Sequence, residues 1–527
     1  MLSIKDIELQ IEEQVQNKAV PGFALSIINE TEILYEKAFG FMNWEESNQT
    51  ITTDTLFRIG SVSKSLTGTL IMKLVEEGIL DLDVPICTYI EEFTLQNQEY
   101  ARTITLRMLL SHTAGLPDGG DIEGPRDQAG WISYIEEIVP NLKLVTPPGV
   151  LYSYGNHAYN LAGYVAQSVC EKPFAELMKE YVFDPLGMTR TMYDPLEAMT
   201  YPLALAHEKT EQGDWKVQHK FAENVTNYPS FFGMSTITDL SRFAMMHLNK
   251  GVLNGKTFLN REIIEEMHKK QVDNYTLNEF GSCLGLIAEK ERGIEMLWHS
   301  GAISTYKCFF VLFPEKKLGF VTMATQDYGW KVIEMLMDKF IGPIDEPKLN
   351  PVQVDSVCWR NYEGNYLGAK RGFVSITIED ASLMMEWNGE KLRLDPIRKE
   401  FYVARNEGET ISVGFRVIDE ETKYVVVNGS PCKCTKLKRK HVQAEKWKKY
   451  EGVYSGGIFE FSFLTKEDKP VFVDEDQYYP CFPITSSIFY AGEYGLLRFT
   501  KNLDETSVLS IQDAWHLEYV GEEVKIK

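Results

Sequence analysis

The chain has 527 residues, 44% of them hydrophobic and 25% charged, with a formal net charge of −22 at pH 7. That length implies about two to four domains of ordinary globular composition. The acidic excess excludes nucleic acid and anionic membrane surfaces as expected partners, no apolar run approaches the ~18 residues of a membrane-spanning helix, and eight cysteines without C-x-x-C spacing give neither a zinc site nor a disulfide framework.

In chain order, Met1 to Glu8 lacks the basic segment and apolar core of a secretory signal, so a cytoplasmic protein is expected. An N-terminal helix is predicted to about Lys18, before Pro21-Gly22. Gly22 to Ile28 and Ile33 to Phe39 read as a hairpin around Asn29-Glu30. After Gly60, apolar residues recur at Val62, Leu66, Leu70 and Leu74, a helical spacing that Gly78 ends.

The motif S-x-x-K occurs three times. Ser304 to Lys307 reads as strand and Ser430 to Lys433 as turn, so only Ser61 to Lys64 opens a helix. Residues three apart share a helix face, which places Lys64 one turn above Ser61. Unpaired N–H groups and the dipole at a helix start favour developing negative charge. Lys64 serves as a base only if desolvation or a nearby cation lowers its pKa. The plain alternative is a helix-capping serine and a surface lysine.

Tyr154-Gly155-Asn156 and His299-Ser300-Gly301 are the single occurrences of Y-x-N and H-x-G. Tyr154 is placed to relay a proton, and Asn156 to hold a substrate amide beside Lys64. A core tyrosine and an ordinary strand histidine are the alternatives. Lys307 to Phe313 and Leu318 to Met323 read as a second hairpin, and Trp330 to Ile341 as an amphipathic helix. A sheet drawn from both ends of this region, a helical middle as second lobe and a site between them are expected.

Gly342 to Pro351, with three prolines, reads as a linker. Beyond it Trp359-Arg360-Asn361-Tyr362-Glu363-Gly364-Asn365-Tyr366 recurs as Trp447-Lys448-Lys449-Tyr450-Glu451-Gly452-Val453-Tyr454. Asn388-Gly389 marks a hairpin, Tyr424 to Val427 ends at a second Asn-Gly, and helical periodicity is nearly lacking. Two small β-barrels fit, joined by the basic stretch Lys436 to Lys449.

The three motifs in this order resemble those of the penicillin-recognising serine hydrolases: class C β-lactamases, DD-carboxypeptidases, D-aminopeptidases and related esterases. Phe57-Arg58-Ile59-Gly60 leading into Ser61, the loop Leu109 to Pro117, Pro148-Gly149, Asp184 to Met188 and Ser235 to Leu240 extend the likeness over roughly residues 7 to 340. The resemblance implies an α+β chain. A β-lactamase-like domain at 1–345, with an antiparallel sheet, flanking helices and a helical lobe, is followed by β-barrel domains at 356–440 and 446–527.

The resemblance makes Ser61 the acylated nucleophile, with Lys64 and Tyr154 sharing base and acid roles. Asn156, His299 and Gly301 would bind substrate, and the N–H groups of Ser61 and Ala302 would form the oxyanion hole. His299 stands where many relatives carry lysine. H-x-G is common in the D-aminopeptidases and esterases, which lowers the expectation of strong β-lactam hydrolysis. The two-barrel layout is similar to the D-aminopeptidases, in which barrels can border the site and restrict entry; the alternative is that the β units mediate oligomer contacts or stabilise the chain. A small-molecule or short-peptide substrate is implied, with no metal and no cofactor. Homo-oligomer formation stays open. His112 is given a structural role and His157 no catalytic one.

Overall fold

The computed structural model describes residues 3–521 apart from 47–48, 211, 345–348, 407, 440–442, 457–458, 475–476, 503–505 and 513–514. Its centre is a seven-stranded antiparallel sheet. The strand order is Ile33–Gly40, Gly22–Asn29, Leu318–Ala324, Tyr306–Phe313, Ile294–Ile303, Ile287–Glu291, Gly281–Ser282. The N-terminal hairpin is closed onto the late strands by pairing of Phe23 with Ala324 through Asn29 with Leu318.

Both faces of the sheet are covered at its centre, which is why the strands Gly22–Asn29, Tyr306–Phe313 and Leu318–Ala324 read as nearly continuous apolar runs. Successive side chains of a strand point to opposite faces. Phe23, Leu25 and Ile27 pack with Ile7, Ile11, Val332 and Leu336 from the helices Ile4–Gln16 and Gly329–Phe340. Ala24 and Ile28 face the larger core beneath the helical lobe. The N-terminal helix starts at a capping box in which the Ser3 side chain and the Asp6 side chain each accept from the other's backbone N–H.

The helix expected to open at Ser61 begins instead as a 3-10 turn, Gly60–Val62, and becomes α-helical at Ser63–Glu76. It is buried on nearly every side. Its polar residues are therefore satisfied internally: Ser65 donates to Gly285 O at 2.6 Å, Thr67 to Pro229 O at 2.7 Å and Thr69 to Ser65 O at 2.9 Å. Two further expectations are corrected. Ser304 lies in the turn between two strands with φ of +49°, not in a strand, and Ser430 begins the strand Ser430–Thr435, not a turn. In both cases a side-chain pattern alone did not show which residue takes the left-handed turn position.

Two nine-stranded antiparallel sheets follow, spanning Gly364–Thr435 and Gly452–Gly521. The edge strands of the first, Glu390–Arg393 and Asp395–Arg398, are consecutive in the chain. So are those of the second, Gln477–Pro480 and Phe482–Pro483. Only one residue, Leu394 or Cys481, separates the two edge strands of each pair, so each sheet curls round until its edges meet and forms a nearly closed barrel. The sequence repeat is a structural repeat. Tyr366 donates to Tyr362 O and Tyr454 to Tyr450 O, at 2.6 and 2.8 Å. Tyr362 stacks on Phe415, and Tyr450 on Phe499. Aromatic rings fill the second barrel's interior, including Phe463, Phe472, Phe489 and Phe499. Part of the expected linker (345–348) and part of the basic connection (440–442) lie outside the described residues.

Candidate active site

The four residues of the first two motifs converge. Lys64 Nζ lies 3.1 Å from Ser61 Oγ, 2.6 Å from Asn156 Oδ1 and 3.0 Å from Ser230 O. The Tyr154 hydroxyl donates to Ser61 Oγ at 3.0 Å. Lys64 is fully buried, which pushes its ammonium down from 10.5 to about 7, against an opposing pull from the Asp118 carboxylate. Tyr154 is held well above the ordinary phenol range, chiefly by burial and next by Asp118, so its hydroxyl keeps its proton.

Local structure explains this placement. Ser63 donates to Gly60 O at 2.8 Å and accepts from Gly233 N–H at 3.0 Å, which fixes the turn that carries Ser61. Asn156 is the first residue of the helix Asn156–Cys170, and its N–H donates to Asp118 Oδ1 at 3.2 Å. The carboxylate thereby pairs an otherwise unbonded helix-start N–H and sets the Asn156 side chain toward Lys64. His112 accepts from Gly155 N–H at 3.3 Å and lies against the Tyr154 ring with centroids 4.5 Å apart. Its place is a support behind Tyr154. His157 is buried, with Nδ1 2.9 Å from the Tyr134 hydroxyl.

The third motif reaches the site through backbone contact. A Cβ on Gly301 would stand 1.9 Å from Ile59 O and 2.8 Å from Ser61 N, and one on Gly60 would stand 2.4 Å from Ala302 N. Only glycine at both positions lets the strand Ile294–Ile303 lie against the turn of the serine. Gly60 also needs its φ of +53°. The backbones of Ser61 and Ala302 are thus neighbours. His299 is buried on the same strand, and its Nδ1–H donates to Ser300 O at 2.6 Å. Burial first, then the Lys64 charge, pushes its imidazole down to about 3, so His299 is neutral at pH 7.

All seven residues singled out in the sequence meet at one place. Sequence reasoning missed three groups that touch them. Asp118 directly follows the Leu109–Pro117 loop, a signal that was available. Ser230 contributes only a backbone oxygen, which no side-chain pattern reveals. Lys370 comes from the first barrel, with Nζ 5.4 Å from the Tyr154 ring centroid. No group of three or more His, Cys, Asp and Glu residues arranged to hold a metal is found among the described residues. Among them no helix is long and apolar enough to cross a membrane.

A helix-borne serine under a buried lysine, beside an antiparallel sheet, defines a β-lactamase-like protein of the penicillin-binding superfamily, whose members are generally serine hydrolases. The Beta-lactamase family model matches residues 7–337, and the chain belongs to that family. Protein flp of Staphylococcus aureus (strain MW2) is 23% identical over 345 residues, covering 64% of this chain and 67% of its own length. Among solved structures, the octameric penicillin-binding protein homologue from Pyrococcus abyssi superposes with a TM-score of 0.57 at 23% identity, covering 82% of this chain and all of that one. SurE superposes with a TM-score of 0.62 at 21% identity, covering 82% of this chain and 98% of its own. These structures share the fold.

Proposed function

We propose that the chain is a serine hydrolase that forms an acyl-enzyme on Ser61 and hydrolyses peptides, amides or esters with small or D-configured acyl groups. The observation that carries this reading is the Ser61–Lys64 contact of 3.1 Å with the lysine buried and close to half-neutral at pH 7. Neutral Lys64 has two N–H groups, which Asn156 Oδ1 and Ser230 O accept, and a lone pair left for the Ser61 hydroxyl proton. Ser61 Oγ attacks the acyl carbon as its proton passes to Lys64. The N–H groups of Ser61 and Ala302 receive the oxyanion. Tyr154 gives its proton to the departing amine or alcohol and recovers one from Lys64 through the Ser61 side. Water then repeats the sequence in reverse and frees the acid. Asn156 and His299 line the acyl position, and neutral His299 acts there by hydrogen bonding rather than charge.

The domain division 1–345, 356–440 and 446–527 belongs to the same proposal, with the catalytic unit first and the two barrels around it. SurE has been solved with D-Leu, which supports a D-configured substrate here. β-Lactamase or DD-carboxypeptidase turnover is the second reading, favoured by the intact Ser61–Lys64–Tyr154 cluster and disfavoured by the neutral His299.

Intact mass after incubation with a fluorophosphonate, and separately with a penicillin, tests the nucleophile. Wild type gains one adduct and Ser61→Ala gains none. No adduct on folded wild type with either reagent would turn the reading to a catalytically silent binding protein. Rapid loss of the penicillin adduct with product release would favour the β-lactamase reading.

A further inference from the structure

We propose that Lys370, carried into the site by the first barrel, is the specificity residue that binds a carboxylate on the leaving-group side of the substrate. The assignment rests on the hydrolase reading of Ser61 and adds to it a substrate class and a role for the barrel.

Lys370 sits at the tip of the hairpin between strands Gly364–Gly368 and Gly372–Glu379. The tip is fixed on both sides of the lysine. Leu496 of the second barrel donates its N–H to Ala369 O at 2.7 Å. Trp387 Nε1–H donates to Arg371 O at 2.8 Å, and the Arg371 guanidinium donates to Val427 O and Asn428 O, each at 3.1 Å. The barrel is in turn fixed to the catalytic unit. Leu151 and Tyr275 pack with Phe401, Tyr424 and Val426, and Arg398 pairs with Asp273. Leu151 lies three residues before Tyr154 in the chain, so this apolar seam and the Lys370 tip approach the same wall of the site.

Charge supplies the second half of the argument. Lys370 is exposed and forms no ion pair among the described residues, and its ammonium stands over the Tyr154 ring. Lys64 is committed to Ser61, Asn156 and Ser230, and His299 is neutral. The third motif therefore offers substrate no cation, and Lys370 brings from the barrel an ammonium that Ser61, Asn156 and Ser230 do not engage. Tyr154 donates to Ser61 Oγ and in the proposed mechanism protonates the departing group, which puts Lys370 on that side of the scissile bond. An ammonium held at a site mouth favours an anion there through an interaction that salt screens.

Three N-acetyl-D-alanyl thioesters test this: the thioglycolate, with a carboxylate, the uncharged thioglycolamide, and the cationic thiocholine ester, whose quaternary nitrogen cannot take the acyl group. Lys370→Ala is expected to lower kcat/KM for the thioglycolate about tenfold and leave the thioglycolamide within about twofold. Lys370→Glu is expected to lower the thioglycolate further and raise the thiocholine ester, and both effects shrink at high salt. Equal losses on all three esters, or no change on any, would overturn the assignment. The hydrolase reading is scored separately by the neutral thioglycolamide: if Ser61→Ala hydrolyses it as fast as wild type, that reading falls. If Ser61 is required and the Lys370 variants do not discriminate by charge, only the Lys370 assignment falls.

Discussion

The Asn156 side-chain oxygen lies 2.6 Å from Lys64 Nζ, deep enough that neither group meets solvent freely. This contact, with the one to Ser230 O, directs the remaining valence of Lys64 at Ser61. The lysine's proton affinity is therefore the quantity that sets the working pH. In the proposed mechanism the base is neutral Lys64, so kcat/KM should rise as pH passes through about 7 and level above it. Asn156→Asp places a carboxylate against the ammonium and favours the charged form, so the rise should move up by at least about one unit. A pH–rate profile on an uncharged thioester measures both limbs, and an unmoved limb in the variant would exclude Lys64 as the titrating base.

The same shift has a stability consequence. The folded pKa of Lys64, about 7, lies below its ordinary 10.5, so between those values the unfolded chain binds the extra proton. Stability from this group therefore rises with pH across that window, and the burial penalty is fully present below it. Lys64→Met has no proton to bind. Its advantage in unfolding midpoint over wild type should shrink steadily from pH 7 to pH 10, as denaturant titrations at matched salt would record.

Tyr154 makes its one recorded hydrogen bond among the described residues to Ser61 Oγ. Tyr154→Phe removes the proton relay and leaves the ring against His112. Turnover should fall about 10²- to 10⁴-fold with little change in melting temperature, and fluorophosphonate should still label Ser61, more slowly. A variant that melts early would indicate a packing role in place of the relay.

Gly301→Ala sets a methyl group against Ile59 O and the Ser61 N–H. Backbone cannot yield as a side-chain tip does. The strand should move away from the nucleophile turn at a cost of about 1–3 kcal/mol, with acylation slowed about 10²-fold or more through loss of oxyanion donors. Urea unfolding and single-turnover acylation separate the two effects, and near-normal acylation would remove Ala302 N–H from the oxyanion site.

Gly414→Ala tests the seam between barrel and catalytic unit, because its Cβ would stand 2.2 Å from the Tyr275 ring. Tyr275 packs with Phe401 and lies under the Arg398 guanidinium. Hydrogen exchange should quicken in both the 273–277 segment and the barrel strand Phe401–Asn406, while the strands Gly22–Asn29 and Leu318–Ala324 keep their protection. Unchanged exchange at the seam would mean that Tyr275 simply turns aside.

Much of this molecule was written locally. The alternation and apolar runs of Gly22–Asn29, Tyr306–Phe313 and Leu318–Ala324 announce strands, the spacing of Val62 to Leu74 a helix, and the Trp359 and Trp447 repeats two equivalent β units, because each depends on the period at which side chains meet a core. The motif residues were legible for a similar reason: the proposed nucleophile, base and relay must be particular residue types, and the serine and lysine share one helix turn. What tertiary structure alone decided depends on groups distant in the chain. The Ser230 carbonyl and the Gly60 and Gly301 approach act through backbone position, and the Lys370 ammonium stands over Tyr154 because a distant barrel hairpin carries it there. The depth that moves Lys64 to about 7 and His299 to about 3 is a property of everything packed around them. Motif residues could be read from the order of the chain, but proton affinity and the entry of a barrel lysine into the site arise only when the folded chain excludes water and brings its distant segments together.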